Sequence, residues 1–175
     1  MIVWLNGCFG AGKTTTAQLL RDALGGYLFD PEPIGFLLWD VVPDLTEEDF
    51  RGFRPWQRLV VEGITALWEE RQRPIVVPMS VFDRAHQDGT IGALRRAGLD
   101  VRHVVLSVDE AELRRRIEEQ VMFPDDPPRD AGVRDFRLEQ LPLGLAMHRD
   151  PEAAVVDVAD RTPEAVGREV VARLG

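Results

Sequence analysis

The segment that most constrains this chain is Gly-Cys-Phe-Gly-Ala-Gly-Lys-Thr at residues 7–14. It follows an apolar run at residues 1–6, which is typical of a buried strand. Residues 13–24 then carry apolar side chains at helical spacing, and Gly25-Gly26 is expected to end that helix. A strand, a glycine-rich turn and a helix in this order predict a phosphate-binding loop (P-loop), in which backbone N–H groups at a helix N-terminus surround the phosphates.

Lys13 is the only lysine among the 21 lysine and arginine residues of the chain. Because Arg and Lys differ where a compact ammonium must contact phosphates, its place inside the motif argues against a chance match. Lys13 is expected to reach the β- and γ-phosphates of ATP and to act in catalysis, and the Thr14 hydroxyl is expected to bind Mg²⁺. The predicted nucleotide-binding residues of the loop are Gly7, Phe9, Gly10, Ala11, Gly12, Lys13, Thr14 and Thr15.

Two other classes of P-loop protein lack their sequence signals here. A GTPase normally recognises guanine through Asn-Lys-x-Asp, which cannot occur because Lys13 is the only lysine. Motor or AAA-type ATPases place an acidic pair at the end of a central strand, whereas the predicted third strand ends Val-Val-Pro-Met-Ser at residues 76–80. A small-molecule kinase, in which positioning and charge neutralisation supply most of the catalysis, is the class that remains.

The rest of the chain alternates predicted strands with predicted helices over its 175 residues. This alternation predicts one α/β domain at residues 1–175, a three-layer P-loop kinase-like fold with a five-stranded parallel sheet flanked by helices. The further strands are predicted at 27–29, 74–80, 101–108 and 153–158, and the further helices at 34–41, within 47–72, at 84–97, up to 120, at 134–147 and up to 174.

Local signals add detail to the second half of this pattern. Ser107 and Glu110 have the spacing of a capping box, and Thr162-Pro163 is expected to begin the last helix. Residues 123–132 are rich in proline and aspartate with almost no apolar content, so a mobile loop is expected there.

Asp30-Pro31-Glu32 follows the second predicted strand. The carboxyl ends of parallel strands meet at one edge of the sheet, so Asp30 is expected to lie across the phosphate site from Lys13. There Asp30 could accept the proton of an attacking hydroxyl, as a catalytic residue, or hold the water shell of Mg²⁺. Glu32 could bind the acceptor or share the metal. The alternative for this segment is an Asp-Pro turn that only ends the strand.

Three consecutive arginines, residues 114–116, occupy a predicted helix ahead of the polar loop. Neighbours on a helix diverge by about 100°, so the three cannot all face one site. Arg116 is the one predicted to bind the nucleotide and stabilise the transferred charge in catalysis. Residues 121–137 are predicted to form a lid that closes on ATP, with Arg134 or Arg137 contributing to nucleotide binding.

An aromatic-rich stretch lies between the second and third predicted strands, where a kinase builds its acceptor pocket. Residues 30–73 are therefore the predicted acceptor segment. Phe36, Arg54 and Trp56 are candidate substrate contacts there, in addition to the two carboxylates. Aromatic rings in this segment could pack against an apolar or nucleoside-like ligand, or simply belong to the core.

The acidic balance of the chain, a formal net charge of -9, argues against DNA or RNA as a partner because nucleic-acid binding needs a surplus of positive surface. Cys8 is the single cysteine, so neither an intramolecular disulfide nor a Cys-based zinc site is expected. No secretory signal and no apolar run of about 20 residues is visible, which favours a cytoplasmic protein. The predicted partner is a small-molecule acceptor, and no pattern indicates an oligomeric state.

Three segments together resemble the tunicamycin resistance protein family. They are Ile-Val-Trp-Leu-Asn-Gly-Cys-Phe-Gly-Ala-Gly-Lys-Thr at 2–14, Phe-Asp-Pro-Glu at 29–32 with Gly35-Phe36, and Ile-Val-Val-Pro-Met at 75–79. Asp49-Phe50, Trp56 and a Leu-x-x-Arg pattern that reaches Arg116 are similar too. The resemblance covers residues 1–120 well and the remainder loosely.

The resemblance implies a nucleoside-kinase-like fold that binds ATP and protects against tunicamycin, a lipid-tailed uridine antibiotic. It leaves two modes open: phosphorylation of a hydroxyl of the drug or of a related nucleoside-type compound, and ATP-dependent sequestration without catalysis. A third alternative is a housekeeping nucleotide or shikimate-type kinase. Some members are longer and carry a C-terminal amphipathic segment that associates with membranes. This chain stops at Gly175, so membrane association is not expected.

Overall fold

The predicted parallel sheet is confirmed in the computed structural model, which describes residues 1–44 and 50–175. The strands of this described part are β1 (Ile2–Gly7), β2 (Tyr27–Leu28), β3 (Ile75–Pro78), β4 (Val101–Ser107) and β5 (Ala154–Asp157). Their order across the sheet is β2-β3-β1-β4-β5, and all neighbours are parallel. The strand that leads into the P-loop, β1, therefore occupies the centre, between β3 and β4.

The central strand β1 is buried along its whole length. Successive side chains of a strand point to opposite faces of the sheet. Val3 and Leu5 accordingly pack into the core on one face, whereas Ile2 and Trp4 pack into a separate core on the other. A parallel strand covered on both faces has no polar alternation, which is why an unbroken apolar run predicted it.

Helices cover both faces of this sheet, and the predicted α/β fold class is confirmed. They are α1 (Lys13–Leu24), α2 (Glu32–Val41), α3 (Arg54–Arg71), α4 (Arg84–Gln87), α5 (Ala93–Arg96), α6 (Glu110–Glu119), α7 (Pro127–Glu139), α8 (Leu141–Leu145) and α9 (Pro163–Ala172). A 3-10 turn at Phe50–Gly52 precedes α3, and a π-helical segment at Asp88–Gly92 joins α4 to α5. The end of α1 is as predicted, since Gly25 follows it in the left-handed conformation.

The predicted capping box at the start of α6 is wrong. The N-cap is Asp109, whose carboxylate accepts a hydrogen bond from the Glu112 N–H at 3.0 Å. Ser107 belongs instead to the end of β4, and Glu110 is the first residue of the helix. An aspartate caps a helix as well as a serine does. Asp109 directly precedes the first residue of α6, whereas Ser107 lies three residues before it.

The loop predicted at 123–132 is also wrong in its second half, because α7 begins at Pro127. Asp126 caps this helix by accepting from the Arg129 N–H. Proline is tolerated in a first helical turn because the N–H that it lacks has no helical partner there. The single helix predicted at 134–147 is correspondingly two helices, α7 and α8.

The remaining helix predictions agree better with the structure. Thr162 accepts from the Ala165 N–H at 3.3 Å and Pro163 begins α9, as predicted. The helix predicted within 47–72 is α3, while positions 45–49 lie outside the described residues. Asp49, which is part of the resemblance noted above, is among them. In the part of the chain that the structure describes, no helix combines the length and the apolar character needed to cross a bilayer.

Candidate active site

The P-loop is shaped by glycines whose backbone conformations other residues rarely adopt. Gly10 and Gly12 have φ values of 80° and 87°. Gly7 has a φ of 142°, and a Cβ there would lie 2.7 Å from the Leu106 carbonyl oxygen, so β4 leaves no room for a side chain. Gly12 is the N-cap of α1, and the first N–H groups of the helix therefore point into the loop. This geometry is that of an anion-binding cradle.

The Lys13 ammonium lies against the P-loop. Its Nζ donates to the carbonyl oxygen of Gly7 at 3.0 Å and to that of Cys8 at 2.8 Å. Burial lowers the pKa of Lys13 to about 8, an effect that the nearby Glu32 carboxylate opposes and two nearby arginines reinforce. Lys13 is thus mostly cationic at neutral pH, and phosphate beside it would favour the charged form further.

A cavity of about 370 Å³ opens beside the P-loop, and we call it the phosphate cavity. Two of the predicted nucleotide-binding residues of the P-loop, Gly7 and the buried Ala11, do not line it, and neither does Arg134. Its wall combines the P-loop and the start of α1 with side chains from several other elements: Phe9, Gly10, Gly12, Lys13, Thr14, Thr15, Glu32, Pro78, Ser80, Arg116, Glu119, Gln120 and Arg137.

Arg116 is the arginine of α6 that reaches the phosphate cavity. Its Nε donates to Glu112 Oε1 at 2.7 Å, and its Nη1 lies 3.4 Å from the Gly10 carbonyl oxygen of the P-loop. The two arginines before it turn away, since Arg114 pairs with Glu110 and Arg115 with Glu112 and Glu119. The helix therefore directs one of the three arginines at the site, as the 100° spacing requires.

Arg134 and Arg137 differ in where α7 directs them. Arg134 donates to the Glu118 and Gln120 carbonyl oxygens and pairs with Asp130, so it fastens α7 to the end of α6. Arg137 lines the phosphate cavity, and its guanidinium lies 5.5 Å from the centre of the Phe9 ring. Of the two lid arginines considered in the sequence, Arg137 is the one that the structure places beside the P-loop.

The two carboxylates of the Asp-Pro-Glu segment also occupy different places. Asp30 is exposed, and its Oδ1 accepts a hydrogen bond from the Glu32 N–H at 3.0 Å. Glu32, in the first turn of α2, lines the phosphate cavity. Burial raises the pKa of Glu32, and Asp30 raises it further, whereas Arg137 and Lys13 pull it down. Asp30 thus lies two residues before the carboxylate that faces the cavity and lines neither this cavity nor the second one described below.

A second cavity, of about 500 Å³, is lined mainly by aromatic side chains and methionines. We call it the aromatic cavity. It shares Phe9, Glu32 and Arg137 with the phosphate cavity, so the two spaces adjoin. Its complete lining is Phe9, Glu32, Phe36, Trp39, Phe50, Arg51, Met79, Met122, Phe123, Arg129, Gly132, Val133, Phe136 and Arg137.

The predicted acceptor contacts are only partly brought together. Phe36 of α2 is on the wall of the aromatic cavity. Trp56 is completely buried, and its indole N–H donates to the Pro31 carbonyl oxygen at 3.1 Å, so it supports the Asp-Pro-Glu segment from behind. Arg54 is an exposed residue at the start of α3 and lines neither cavity.

Arg51 belongs to the aromatic cavity and was missed by the sequence analysis. It is buried, its Nη2 donates to Gln140 Oε1 at 2.8 Å, and its guanidinium lies 4.6 Å from the centre of the Phe82 ring. Arg51 and Arg54 both follow a phenylalanine in the run Phe-Arg-Gly-Phe-Arg at 50–54, so the sequence does not distinguish them. Only the fold buries Arg51 and exposes Arg54. The lid segment 121–137 was expected to close on ATP, yet most of its cavity-lining residues face the aromatic cavity.

The amino-acid sequence matches the profile of a known protein family. The profile of the family described as "AAA domain" matches residues 2–131, which is most of the chain. The chain belongs to the AAA domain family. None of the curated proteins compared with this AAA domain matches it.

Solved structures resemble this AAA domain over nearly its whole length. A tunicamycin resistance protein from Deinococcus radiodurans is 25% identical, with a TM-score of 0.72 over 99% of this chain and 95% of that one. An unliganded sugar kinase from Janibacter is 21% identical (TM-score 0.69; 99% and 93% covered). The APS kinase of Mycobacterium tuberculosis, in complex with AMPPNP and APS, is 19% identical (TM-score 0.68; 99% and 96% covered). These matches confirm the P-loop kinase-like fold and the predicted resemblance to a tunicamycin resistance protein.

The AAA domain assignment corrects one step of the sequence argument. The bare end of β3 does not exclude this family, although AAA-type ATPases were set aside on that ground. In this AAA domain β3 lies beside β1, and Ser80, two residues after β3, donates from Oγ to the Gly7 carbonyl oxygen at 2.9 Å. A hydroxyl that braces the P-loop therefore stands where a motor-type ATPase would have a carboxylate.

Proposed function

We propose that this protein is an ATP-dependent phosphotransferase that transfers the γ-phosphoryl group to a hydroxyl of an acceptor held in the aromatic cavity. The observation that carries the proposal is the common wall of the two cavities, where Glu32 and Arg137 face both the P-loop side and the aromatic side. A phosphotransferase needs its two substrates in adjoining sites, with charged groups at the junction where the phosphoryl group passes.

In this proposal the P-loop binds the phosphates and three cations surround the transferred group. Lys13 contacts the β- and γ-phosphates, while Arg116 and Arg137 approach from α6 and α7. Charge on the transferred group is stabilised by donors that are already in place, which is the largest catalytic term for this chemistry. The rigidity of Arg116 depends on Glu112, since their ion pair fixes the guanidinium beside the loop.

Mg²⁺ fits the proposed site through Thr14. Among the described residues no three His, Cys, Asp or Glu side chains form a metal cluster. Mg²⁺ does not need one, because it usually keeps several waters and takes one or two protein ligands together with substrate phosphates. The Thr14 hydroxyl on the cavity wall, with a carboxylate of the Asp-Pro-Glu segment through water, meets that requirement. The ion would neutralise phosphate charge during transfer.

The proton of the acceptor hydroxyl goes to a carboxylate of the Asp-Pro-Glu segment. Asp30 is the base expected from the sequence, and Glu32 is the carboxylate on the common wall. Glu32 has a raised pKa because of burial, which makes it a stronger base than an exposed glutamate. Asp30→Asn and Glu32→Gln separate the two assignments: the variant that loses phosphoryl transfer while still binding ATP identifies the base.

The chemistry of the aromatic cavity favours an acceptor with a large apolar or aromatic body. Rings and methionines make up most of the wall, and they would contact such a body over a wide area. Tunicamycin or a related nucleoside-type compound is the proposed acceptor, and the likeness to the Deinococcus radiodurans tunicamycin resistance protein supports it. Incubation of the protein with Mg-ATP and tunicamycin, followed by intact-mass analysis of the drug, should reveal one added phosphate.

A second candidate is ATP-dependent binding of the acceptor without catalysis, so that resistance comes from sequestration. It is favoured by the end of β3, where Ser80 is bound to the P-loop and supplies no carboxylate for a metal. In that case the drug keeps its original mass although it binds in the presence of ATP. A housekeeping kinase is the third candidate. Thermal-shift screening of nucleosides and shikimate-like metabolites would identify it by a ligand that raises the melting temperature more than tunicamycin does.

A further inference from the structure

A chain of hydrogen-bonded polar side chains runs under the sheet from the P-loop to the turn before β5. It consists of Asn6, His103 and Asp150, and it is separate from the cavity walls used above for phosphoryl transfer. Asn6 is completely buried at the end of β1, and the His103 side chain on β4 is also completely buried. Buried polar side chains cost free energy unless each one is hydrogen-bonded, so their presence at the centre of the sheet calls for a physical reason.

Asn6 has a single allowed orientation. Its Oδ1 accepts from the backbone N–H groups of Gly7 at 2.9 Å and Val81 at 3.0 Å. Its Nδ2 donates to the Val81 carbonyl oxygen at 2.8 Å and lies 3.3 Å from His103 Nε2. Rotating the amide by 180° would place an NH₂ group against two backbone N–H groups and lose both of these bonds. The backbone therefore determines which atom of Asn6 faces His103.

The orientation of Asn6 in turn determines the tautomer of His103. Because Nδ2 of Asn6 is a donor, Nε2 of His103 must accept, and the ring proton must be on Nδ1. That proton is donated to Asp150 Oδ2 at 3.0 Å. Burial lowers the pKa of His103, which agrees with a neutral ring, although Asp150 opposes the shift. Asp150 is itself held by Arg95 at 2.8 Å, so the far end of the chain is also fixed.

We propose that His103 and Asp150 are positioning residues of the P-loop, which they orient through the hydrogen bond that the Gly7 N–H donates to Asn6 Oδ1. Gly7 is the first residue of the loop, and its carbonyl oxygen accepts from both Lys13 Nζ and Ser80 Oγ. A change in the direction of the Gly7 peptide would move the resting place of the Lys13 ammonium. The proposal rests on the phosphate-binding role of the loop, which is part of the proposed function.

The test uses inorganic tripolyphosphate, a probe that engages the P-loop and does not need the aromatic cavity. His103→Leu removes both ring nitrogens, so one N–H of Asn6 Nδ2 loses its acceptor while the other still donates to the Val81 carbonyl oxygen. Isothermal titration calorimetry should give about tenfold weaker tripolyphosphate binding for this variant, the usual size of the effect of one buried donor left unpaired. His103→Gln can place a carbonyl oxygen against Asn6 and should restore most of the affinity.

His148→Gln is the matched control. His148 lies close to the same turn, but it is held through its backbone. Its N–H donates to the Phe82 carbonyl oxygen, and its carbonyl oxygen accepts from Gln87 Nε2. Its affinity for tripolyphosphate should equal that of the unmodified protein. Asp150→Ala provides a second variant should His103→Leu not fold, since Asp150 lies nearer the surface. We expect it to weaken binding and to shift the Gly7 amide proton resonance, which a purely stabilising role would not do.

The outcomes separate this proposal from the proposed function. If folded His103→Leu and Asp150→Ala proteins bind tripolyphosphate as tightly as the unmodified protein, the positioning role is refuted while phosphate binding by the loop stands. If the unmodified protein binds neither tripolyphosphate nor ATP, the P-loop assignment fails and both proposals fail with it. A ring proton found on Nε2 of His103 by ¹⁵N NMR would also refute the hydrogen-bond chain.

Discussion

Gly35 of α2 lies directly against the ring of Phe50, one of the walls of the aromatic cavity. A Cβ on Gly35 would meet three Phe50 ring atoms at 2.4, 2.5 and 2.6 Å. An ordinary carbon contact begins near 3.5 Å, so Gly35→Ala must displace the ring by about 1 Å. The substitution therefore changes the shape of the aromatic cavity by adding a single methyl group outside it.

The cost of this displacement can be separated from the effect of alanine on a helix. Gly167 on α9 is the matched control, because a Cβ there would lie 3.6 Å from the nearest atom, which belongs to Leu19 and is in ordinary contact. Both substitutions gain up to about 1 kcal/mol of helix propensity. Only Gly35→Ala also overpacks its surroundings, at about 1 to 3 kcal/mol. Gly35→Ala should therefore be less stable than Gly167→Ala by about that amount.

Urea unfolding followed by tryptophan fluorescence gives the two free energies of unfolding, with unchanged m-values as the condition for comparing them. The displaced Phe50 ring should also raise the KM for the acceptor while the affinity for ATP stays the same. Equal stabilities for the two variants would refute the packing argument. An unchanged acceptor KM in a destabilised Gly35→Ala protein would refute the role of the aromatic cavity as the acceptor site.

Three further predictions concern charged groups. Arg116→Gln should slow phosphoryl transfer by about 10³-fold, as loss of a transition-state arginine does. The control Arg114→Gln removes only an exposed ion pair with Glu110 and should leave the rate near normal. Equal rates for the two variants would contradict the assignment of Arg116. The affinity for ATP should fall as the pH rises from about 7 to about 9, because the pKa of Lys13 is about 8 and the neutral amine does not attract phosphate. A constant affinity in calorimetric titrations would show that Lys13 does not contact the phosphates. The free energy of unfolding should fall as the pH falls below about 6.5, because the unfolded chain protonates His103 there while burial keeps its folded pKa lower, so the unfolded state binds more protons. His103→Gln should remove this fall in the free energy of unfolding below pH about 6.5. The same pH dependence in the variant and in the unmodified protein would show that His103 is not its cause.

The phosphate end of the site could be predicted because its residues are contiguous. The turn that follows β1 supplies the glycines and the first turn of α1 supplies Lys13 and Thr14. The physical demands on this short segment leave few alternative sequences. Asp30-Pro31-Glu32 could also be placed near it, since the ends of parallel strands meet at one edge. Which of the two carboxylates faces the cavity could not be predicted. That depends on the first turn of α2, which begins at Glu32 and turns its side chain inward.

The proposed acceptor end could be predicted only in outline, because most of the wall of the aromatic cavity comes from α2, the 3-10 turn and the region of α7. Phe36 and Trp56 are both aromatic residues of one segment, yet the first lines the cavity and the second is completely buried. The hydrophobic pattern of a sequence shows that such residues avoid water, but it does not show whether they line a cavity or pack in the core. The same holds for Arg51, since burial of an arginine depends on partners far away in sequence such as Gln140.

The two ends of the site meet at Phe9, Glu32 and Arg137, which come from the P-loop, α2 and α7. Substitutions elsewhere in the aromatic cavity can change which acceptor fits without touching a phosphate contact. At the three common residues this separation is impossible, because each change alters both ligand sites together. The charges at the junction also depend on one another, since Arg137 and Lys13 both lower the pKa of Glu32. A phosphate bound beside these cations would offset part of their field, and the carboxylate would become a stronger base when the nucleotide is present. The same contacts that would bring the two substrates together would therefore make the basicity of Glu32 depend on bound ATP.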